Sequence, residues 1–336
     1  MRTARFHQFG EPAEVLRLED LPVPEPAAGD VRVRMLASPI NPSDLMHVRG
    51  VYGKRPSLPA GVGFEGVGVV EAAGGGMFGR FLVGKRVAVM NRAGGNWAER
   101  VVLSAKRVIP LDSELPVEQA AMFFVNPAAA WVMTRRVLAV PQGEWLLQTA
   151  AGSALGKMVI RLARHEGFRT LNVVRREEQV EELQALGADR VVAFDPDHHE
   201  PARLREQVLE ATGGRGVKFA IDPVGGRTGS AAVGCLGDEG RMLVYGTLSD
   251  EPLNFSPRTL MTAGAKVEGF WLSRWMEARG LFARLSLVRT ITRLMKADIF
   301  VSEVAAEFPL DQLTAALRAA EQPARGGKIL LRLGEP

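Results

Sequence analysis

Residues 145–167 read WLLQTAAGSALGKMVIRLARHEG. An apolar run of strand length passes through a turn of small residues into a stretch with helical apolar spacing, which puts Gly152 and Gly156 at a strand-to-helix turn. Glycine at such a turn lets the backbone approach a phosphate closely. The first turn of the helix then aims free N–H groups and the positive end of its dipole at that phosphate. The full G-x-G-x-x-G spacing is absent, so the candidates for a pyrophosphate cradle are the run Gly152, Ser153, Ala154, Leu155 and Gly156. Gly156 also suits tight packing of the helix on its sheet, and both glycines are compatible with a turn that only packs.

Working outward, the same alternation recurs. TLNVV, RVVAF, VKFAID, RMLVYG and AKVEGF are short apolar runs separated by helix-length stretches between about Val117 and residue 270. Strands of that kind, apolar on both faces and alternating with helices, predict βαβ units and a parallel sheet covered on both sides. Upstream, VRVRMLAS, GVGVVEAAG, KRVAVM and WAERVVL are strand-like runs broken by Gly and Pro, the pattern of an antiparallel, barrel-like domain. Downstream come two helical runs, LFARLSLVRTITRLMKAD and DQLTAALRAAEQ, and a lone closing strand, GKILLRL. That strand needs a host. The upstream β domain is the simplest one, which leaves the parallel-sheet domain inserted within it.

A chain of 336 residues, 46% hydrophobic, is long enough for more than one core. The net charge of +4 comes from scattered Lys and Arg, which argues against a nucleic-acid arm and suits a phosphate-bearing ligand. Cys235 is the only cysteine, so there is no intrachain disulfide and no thiolate cage for zinc. The start of the chain lacks the apolar core of a signal peptide, and no run approaches the roughly 18 apolar residues of a membrane span. The expectation is a cytoplasmic protein without membrane or nucleic-acid partners. The five histidines are scattered, and the His198–His199 pair has no third ligand at a suitable spacing.

About 20 residues beyond the glycine turn, an NAD-binding strand would end in Asp or Glu to hold the ribose diol. Here TLNVVRREEQ ends in Arg175 and Arg176. Arginine there suits a 2′-phosphate and points to NADPH, although two solvated arginines opening a charged helix have the same spelling.

Several stretches together resemble the medium-chain dehydrogenase/reductase superfamily over essentially the whole chain: NPSD at 41–44, GFEGVGVVEAAG, GKRVAV, AAGSALG, DPVGG and YGTL. The resemblance implies an α/β fold, a Rossmann doubly wound parallel sheet inserted in a GroES-like β-barrel catalytic domain. Its expected parts are 1–122 and 272–336 for the catalytic domain and 123–271 for the NADPH-binding domain. Zinc-containing members carry Cys in the region of Asn41–Asp44 and His in a G-H-E-x-x-G motif; here the triplet is Gly63, Phe64, Glu65, and no metal is expected. The chain is therefore similar to the zinc-free branch of quinone oxidoreductases and 2-enoyl thioester reductases.

Within that branch it resembles the mitochondrial-type trans-2-enoyl-CoA/ACP reductases in FFVNPAAAW, LNVVR, VYGTL, GFWLSRW and GGKILL. The resemblance implies cofactor contacts from Asn41, Asn126, Arg175, Arg176, Tyr245, Gly246, Thr247, Leu248, Phe270, Trp271, Leu272 and Lys328, and assembly as a homodimer. It also matches Tyr52, between Val51 and Gly53, to a proton-donating tyrosine. A phenol of pKa near 10 can donate a hydrogen bond and then a proton at neutral pH, which reduction of a conjugated C=C requires once hydride has reached the β-carbon. A packed loop aromatic is the bland alternative for Tyr52, and a turn residue before proline is that for Asn41. The expected activity is NADPH-dependent reduction of α,β-unsaturated acyl thioesters, small-molecule substrates, with quinone or enone reduction on the same scaffold as the alternative.

Overall fold

A computed structural model describes residues 1–323 and 326–335. The chain divides into two compact units, Met1–Val125 with Ser302–Pro336, and Asn126–Val301.

The first unit is organised by one long strand, Asp30–Pro39, which pairs antiparallel with Glu65–Ala73, Arg100–Ser104 and Lys328–Arg332. Its first half alternates: Val31, Val33 and Met35 are buried in the core with Val70, Val87, Val89, Trp97 and Leu331, while Arg32 faces outward to ion-pair with Glu25 and Glu71. Its second half is buried on both faces, because Leu36 and Ala37 also pack against Val67, Ala120 and Ala121. Gly68 has to be glycine here, since a Cβ would lie 2.4 Å from the Arg34 carbonyl across the ladder. The closing strand Lys328–Arg332 joins the sheet next to Asp30–Pro39, the host expected for it.

The second unit holds a six-stranded, all-parallel sheet in the order Arg190–Ala193, Arg169–Val174, Trp145–Gln148, Val217–Asp222, Leu236–Val244, Lys266–Gly269. The order reverses direction at Trp145–Gln148 and Val217–Asp222, and open α/β sheets bind ligands beyond the strand ends at such a reversal. Leu147, Leu171, Val173, Val192 and Met242 are buried together as the core on one face, consistent with strands apolar on both sides. The quoted stretch folds as written: a strand, a turn, then the helix Ala154–Glu166, which ends at Gly167 in the left-handed conformation.

The structure differs from the reading of the sequence in two places. Residues 272–301, expected in the catalytic domain, cluster with the parallel-sheet unit, and the first part of the catalytic unit runs to Val125 rather than to residue 122. The physical reason is visible in the helix Leu281–Lys296, which buries Leu287, Ile291, Leu294 and Met295, and in Arg161, which donates to the Val301 carbonyl at 2.9 Å. These hold the segment on the second unit until Ser302. The other difference is an added strand, Val304–Pro309, which pairs parallel with Lys328–Arg332.

Candidate active site

In the first unit the chemistry gathers at the start of the helix Pro42–Arg49, for which Asn41 is the N-cap. The Asn41 N–H donates to Asp44 Oδ2 at 2.8 Å, half of a capping box, and proline at the first helical position costs no hydrogen bond. Asp44 is fully buried, and its other oxygen accepts the Phe64 N–H at 3.0 Å. Burial pushes the Asp44 carboxyl up to about 7 against the pull of those two hydrogen bonds, with Glu65 adding repulsion and Lys328 opposing it.

Glu65 opens its strand with a buried carboxylate. It accepts from Asn41 Nδ2 at 2.8 Å and from the Val125 N–H at 2.9 Å, and burial raises its pKa. Lys328, buried at the start of the closing strand, donates through Nζ to Asn41 Oδ1. The amide of Asn41 is thus held at both ends by protein groups. The structure brings Asn41 and Lys328 together, with Asp44 and Glu65 as the carboxylates that surround them.

Tyr52 follows this helix in a loop without regular structure and is half-buried. Its ring lies against Phe64, with centroids 5.5 Å apart and planes tilted by 38°. Its hydroxyl is hydrogen-bonded to the Ser43 side chain. Burial first, and the charge of Asp44 second, raise the phenol above its ordinary value, so it stays a neutral donor through physiological pH. Phe64 in turn meets the His47 ring edge-on at 5.1 Å.

In the second unit, Ser153 caps the helix Ala154–Glu166 by accepting the Gly156 N–H at 3.1 Å. A Cβ on Gly156 would lie 2.4 Å from the Ala151 carbonyl, so the close approach that requires glycine is within the turn itself. Its carbonyl also accepts from Gln148 of the preceding strand at 3.0 Å. A Cβ on Gly152 would strike Gln179 at 2.3 Å, which brings the start of the next helix to the turn. Arg175 follows the second strand directly, its side chain 63% exposed and paired with Asp195 at 3.3 Å and Asp197 at 2.7 Å; Arg176 beside it is half-buried.

At the ends of the other strands, Asp222 is buried and gathers the Val224 and Gly225 N–H groups and the Thr149 hydroxyl. The run from Tyr245 to Leu248 crosses over it: Tyr245 N–H donates to the Asp222 carbonyl at 2.9 Å and Leu248 N–H to the Pro223 carbonyl at 3.0 Å. Gly246 passes so close to Pro223 that a Cβ would meet its carbonyl at 2.8 Å. Thr247 and Leu248 face solvent. Phe270 N–H continues the sheet by donating to the Val244 carbonyl at 2.8 Å, Trp271 is 44% exposed at the N-cap of Leu272–Glu277, and Leu272 is half-buried. Asn126 is half-buried in the first turn of Val125–Trp131. The second unit therefore brings Gly152–Gly156, Arg175, Arg176, Tyr245–Leu248 and Phe270–Leu272 to the carboxyl ends of its parallel strands.

Sequence reasoning passed over Asp44, Glu65, Asp222 and Thr149 as site residues. Glu65 carried a signal, a carboxylate opening the apolar strand GFEGVGVV, and Asp222 another, the acid that closes VKFAID. Zinc does not fit. Phe64 has no donor atom, and among the described residues no group of three or more His, Cys, Asp or Glu side chains is placed to hold a metal ion.

Two family models match: an alcohol dehydrogenase GroES-like domain over residues 27–113 and a zinc-binding dehydrogenase domain over 154–286. The mitochondrial enoyl-[acyl-carrier-protein] reductase of Homo sapiens is 31% identical over 99% of this chain and 89% of its own length. That of Xenopus tropicalis is also 31% identical, over 97% and 93%. Among solved structures, a putative NADPH:quinone reductase from Bacillus thuringiensis superposes with a TM-score of 0.90 at 33% identity, covering 98% of each chain. The complex of Etr1p with NADP and crotonyl-CoA, 23% identical with a TM-score of 0.85 over 98% of this chain and 99% of its own, shares the fold.

Proposed function

Since this chain belongs to the medium-chain dehydrogenase/reductase superfamily, we propose that it is an NADPH-dependent oxidoreductase that reduces the C=C bond of 2-enoyl thioesters, with Tyr52 as proton donor. The observation that carries this reading is a half-buried phenol that lies against Phe64 and is hydrogen-bonded to Ser43.

The second unit has what NADPH needs. The Ser153-capped turn offers backbone N–H groups and a helix dipole to the pyrophosphate. Arg175 supplies a fork for the 2′-phosphate. Its pairs with Asp195 and Asp197 are exposed and therefore weak, so a dianionic phosphate competes well for the guanidinium. When bound, NADPH supplies hydride to the β-carbon of the substrate. This chain's own contribution is then to move a proton: the Tyr52 O–H bond breaks as the α-carbon gains hydrogen, the C=C electron pair forms the two new C–H bonds with the hydride pair, and the phenolate recovers its proton from water. Asp44 bears on this step from a distance, since its negative charge favours the protonated phenol.

Replacing Tyr52 with Phe tests the role. NADPH-dependent turnover of crotonyl-CoA should fall by roughly 10²- to 10⁴-fold. Unchanged turnover would remove Tyr52 from the chemistry. The second reading, reduction of quinones or simple enones, is favoured by the 33% identity with the Bacillus thuringiensis protein. There the Tyr52 variant would lose little, because a reduced quinone takes protons from water. We also propose a homodimer, to be checked by light scattering.

A further inference from the structure

We infer that Phe64 is a positioning residue for Tyr52: its ring is a rigid wall against which the phenol is set. The inference rests on the reading of Tyr52 as proton donor.

Tyr52 sits in a segment, residues 51–59, that contains no helix or strand, and Val51 and Tyr52 lie between Gly50 and Gly53, both in left-handed conformations at φ of 76° and 60°. The Ser43 side chain holds the hydroxyl by a hydrogen bond. The Phe64 ring lies against the phenol ring, centroids 5.5 Å apart and planes tilted by 38°.

Phe64, by contrast, is fixed from both sides. Its N–H donates to the buried Asp44 carboxylate at 3.0 Å, and its carbonyl accepts the Asn91 N–H at 2.8 Å. Gly63 before it is held at φ 96° with the Trp97 ring where a Cβ would be, and Glu65 after it is buried and doubly hydrogen-bonded. Behind the Phe64 ring stands His47 at 5.1 Å, and behind His47 stands Phe6 at 5.6 Å, fully buried in the core. Burial lowers the His47 pKa, so the imidazole is a neutral member of this stack, bonded to the Gly61 backbone. The rings Phe6, His47, Phe64 and Tyr52 form a column that runs from the barrel core to the phenol. Proton delivery falls steeply when a donor is displaced by an ångström, so the rigidity of this column bears on the rate.

The test uses Phe64→Leu, Phe64→Met and Phe64→Tyr, each alone and combined with Tyr52→Phe, in the full-length protein. With crotonyl-CoA and saturating NADPH, Phe64→Leu and Phe64→Met should each lower kcat on the order of 10- to 100-fold. Both should raise the solvent isotope effect, because protonation becomes slower, and leave the NADPH Kd within about twofold. Phe64→Tyr, which keeps the ring, should restore the rate. In the Tyr52→Phe background no Phe64 change should cost anything further. Full activity of Phe64→Leu while Tyr52→Phe is inactive would overturn this inference alone, as would an equal loss with and without the phenol. Unchanged turnover of Tyr52→Phe would overturn the proton-donor reading and this inference with it. If Phe64→Leu fails to fold by thermal melt, Phe64→Met, whose unbranched side chain adapts to the space left by the ring, decides.

Discussion

At the scale of single residues, Asp44 is a carboxyl whose ionisation the fold opposes. Its pKa rises from an ordinary carboxyl value of 3.8 to about 7 on burial. The folded state therefore takes up a proton that the unfolded chain has released, and the stability attached to Asp44 is fully present below pH 3.8 and lost as pH rises to about 7. Denaturant unfolding at several pH values should show the margin of the wild-type protein over Asp44→Asn shrinking from about pH 4 to 7 and level above that. A margin independent of pH would mean that the carboxyl is ionised throughout. Arg175→Ala should weaken NADPH at least tenfold more than NADH, measured by titration of cofactor fluorescence; equal weakening would reduce Arg175 to its pairs with Asp195 and Asp197. Arg175 and Tyr52 stand out in the sequence because each breaks a local pattern, an acid expected at one strand end and an aromatic set among glycines. Asn41 and Lys328 were harder to interpret, since 287 positions separate partners whose side chains meet only in the fold. Asp44 was hidden by a spelling, N-P-S-D, that any capped turn could have.

At the scale of elements, the cap on Ala154–Glu166 is the most testable. Ser153→Ala removes the acceptor for the Gly156 N–H and should cost about 1 kcal/mol of stability by urea denaturation, the usual loss of an N-cap hydroxyl. No loss would mean that water serves the helix end equally well. The six strands of the parallel sheet were readable one by one because each lies in or beside a short, mostly apolar run between helices. Val304–Pro309 was not. Its residues VAAEFP are only weakly apolar, with Ala305, Glu307 and Pro309 exposed and none of the six fully buried, and only pairing with Lys328–Arg332 makes it a strand. The helix Leu281–Lys296 was readable as a helix, but its amphipathic face does not say which core it covers, and for that reason the expected boundary at residue 272 differs from the unit that ends at Val301.

At the scale of the whole molecule, the chain combines a dinucleotide-type sheet with a β unit whose buried polar cluster lacks a metal's donor set. Dialysis against a chelator should accordingly leave turnover unchanged, and added zinc should not restore or raise it. NADPH at about 100 times its Kd should raise the stability of the protein by about 2.7 kcal/mol in thermal or denaturant melts. The architecture was legible because the alternation of strand and helix changes rhythm near Val117 and a lone strand at the end requires a distant partner. The choice of substrate was not, because both enoyl and quinone reductases are built on this scaffold and differ by how much work is left for an acid. The most direct test is the kcat/KM for NADPH oxidation by the purified wild-type protein across crotonyl-CoA, benzoquinone and a simple enone. The account predicts the highest value for crotonyl-CoA; a quinone reduced efficiently while crotonyl-CoA is left untouched would contradict it.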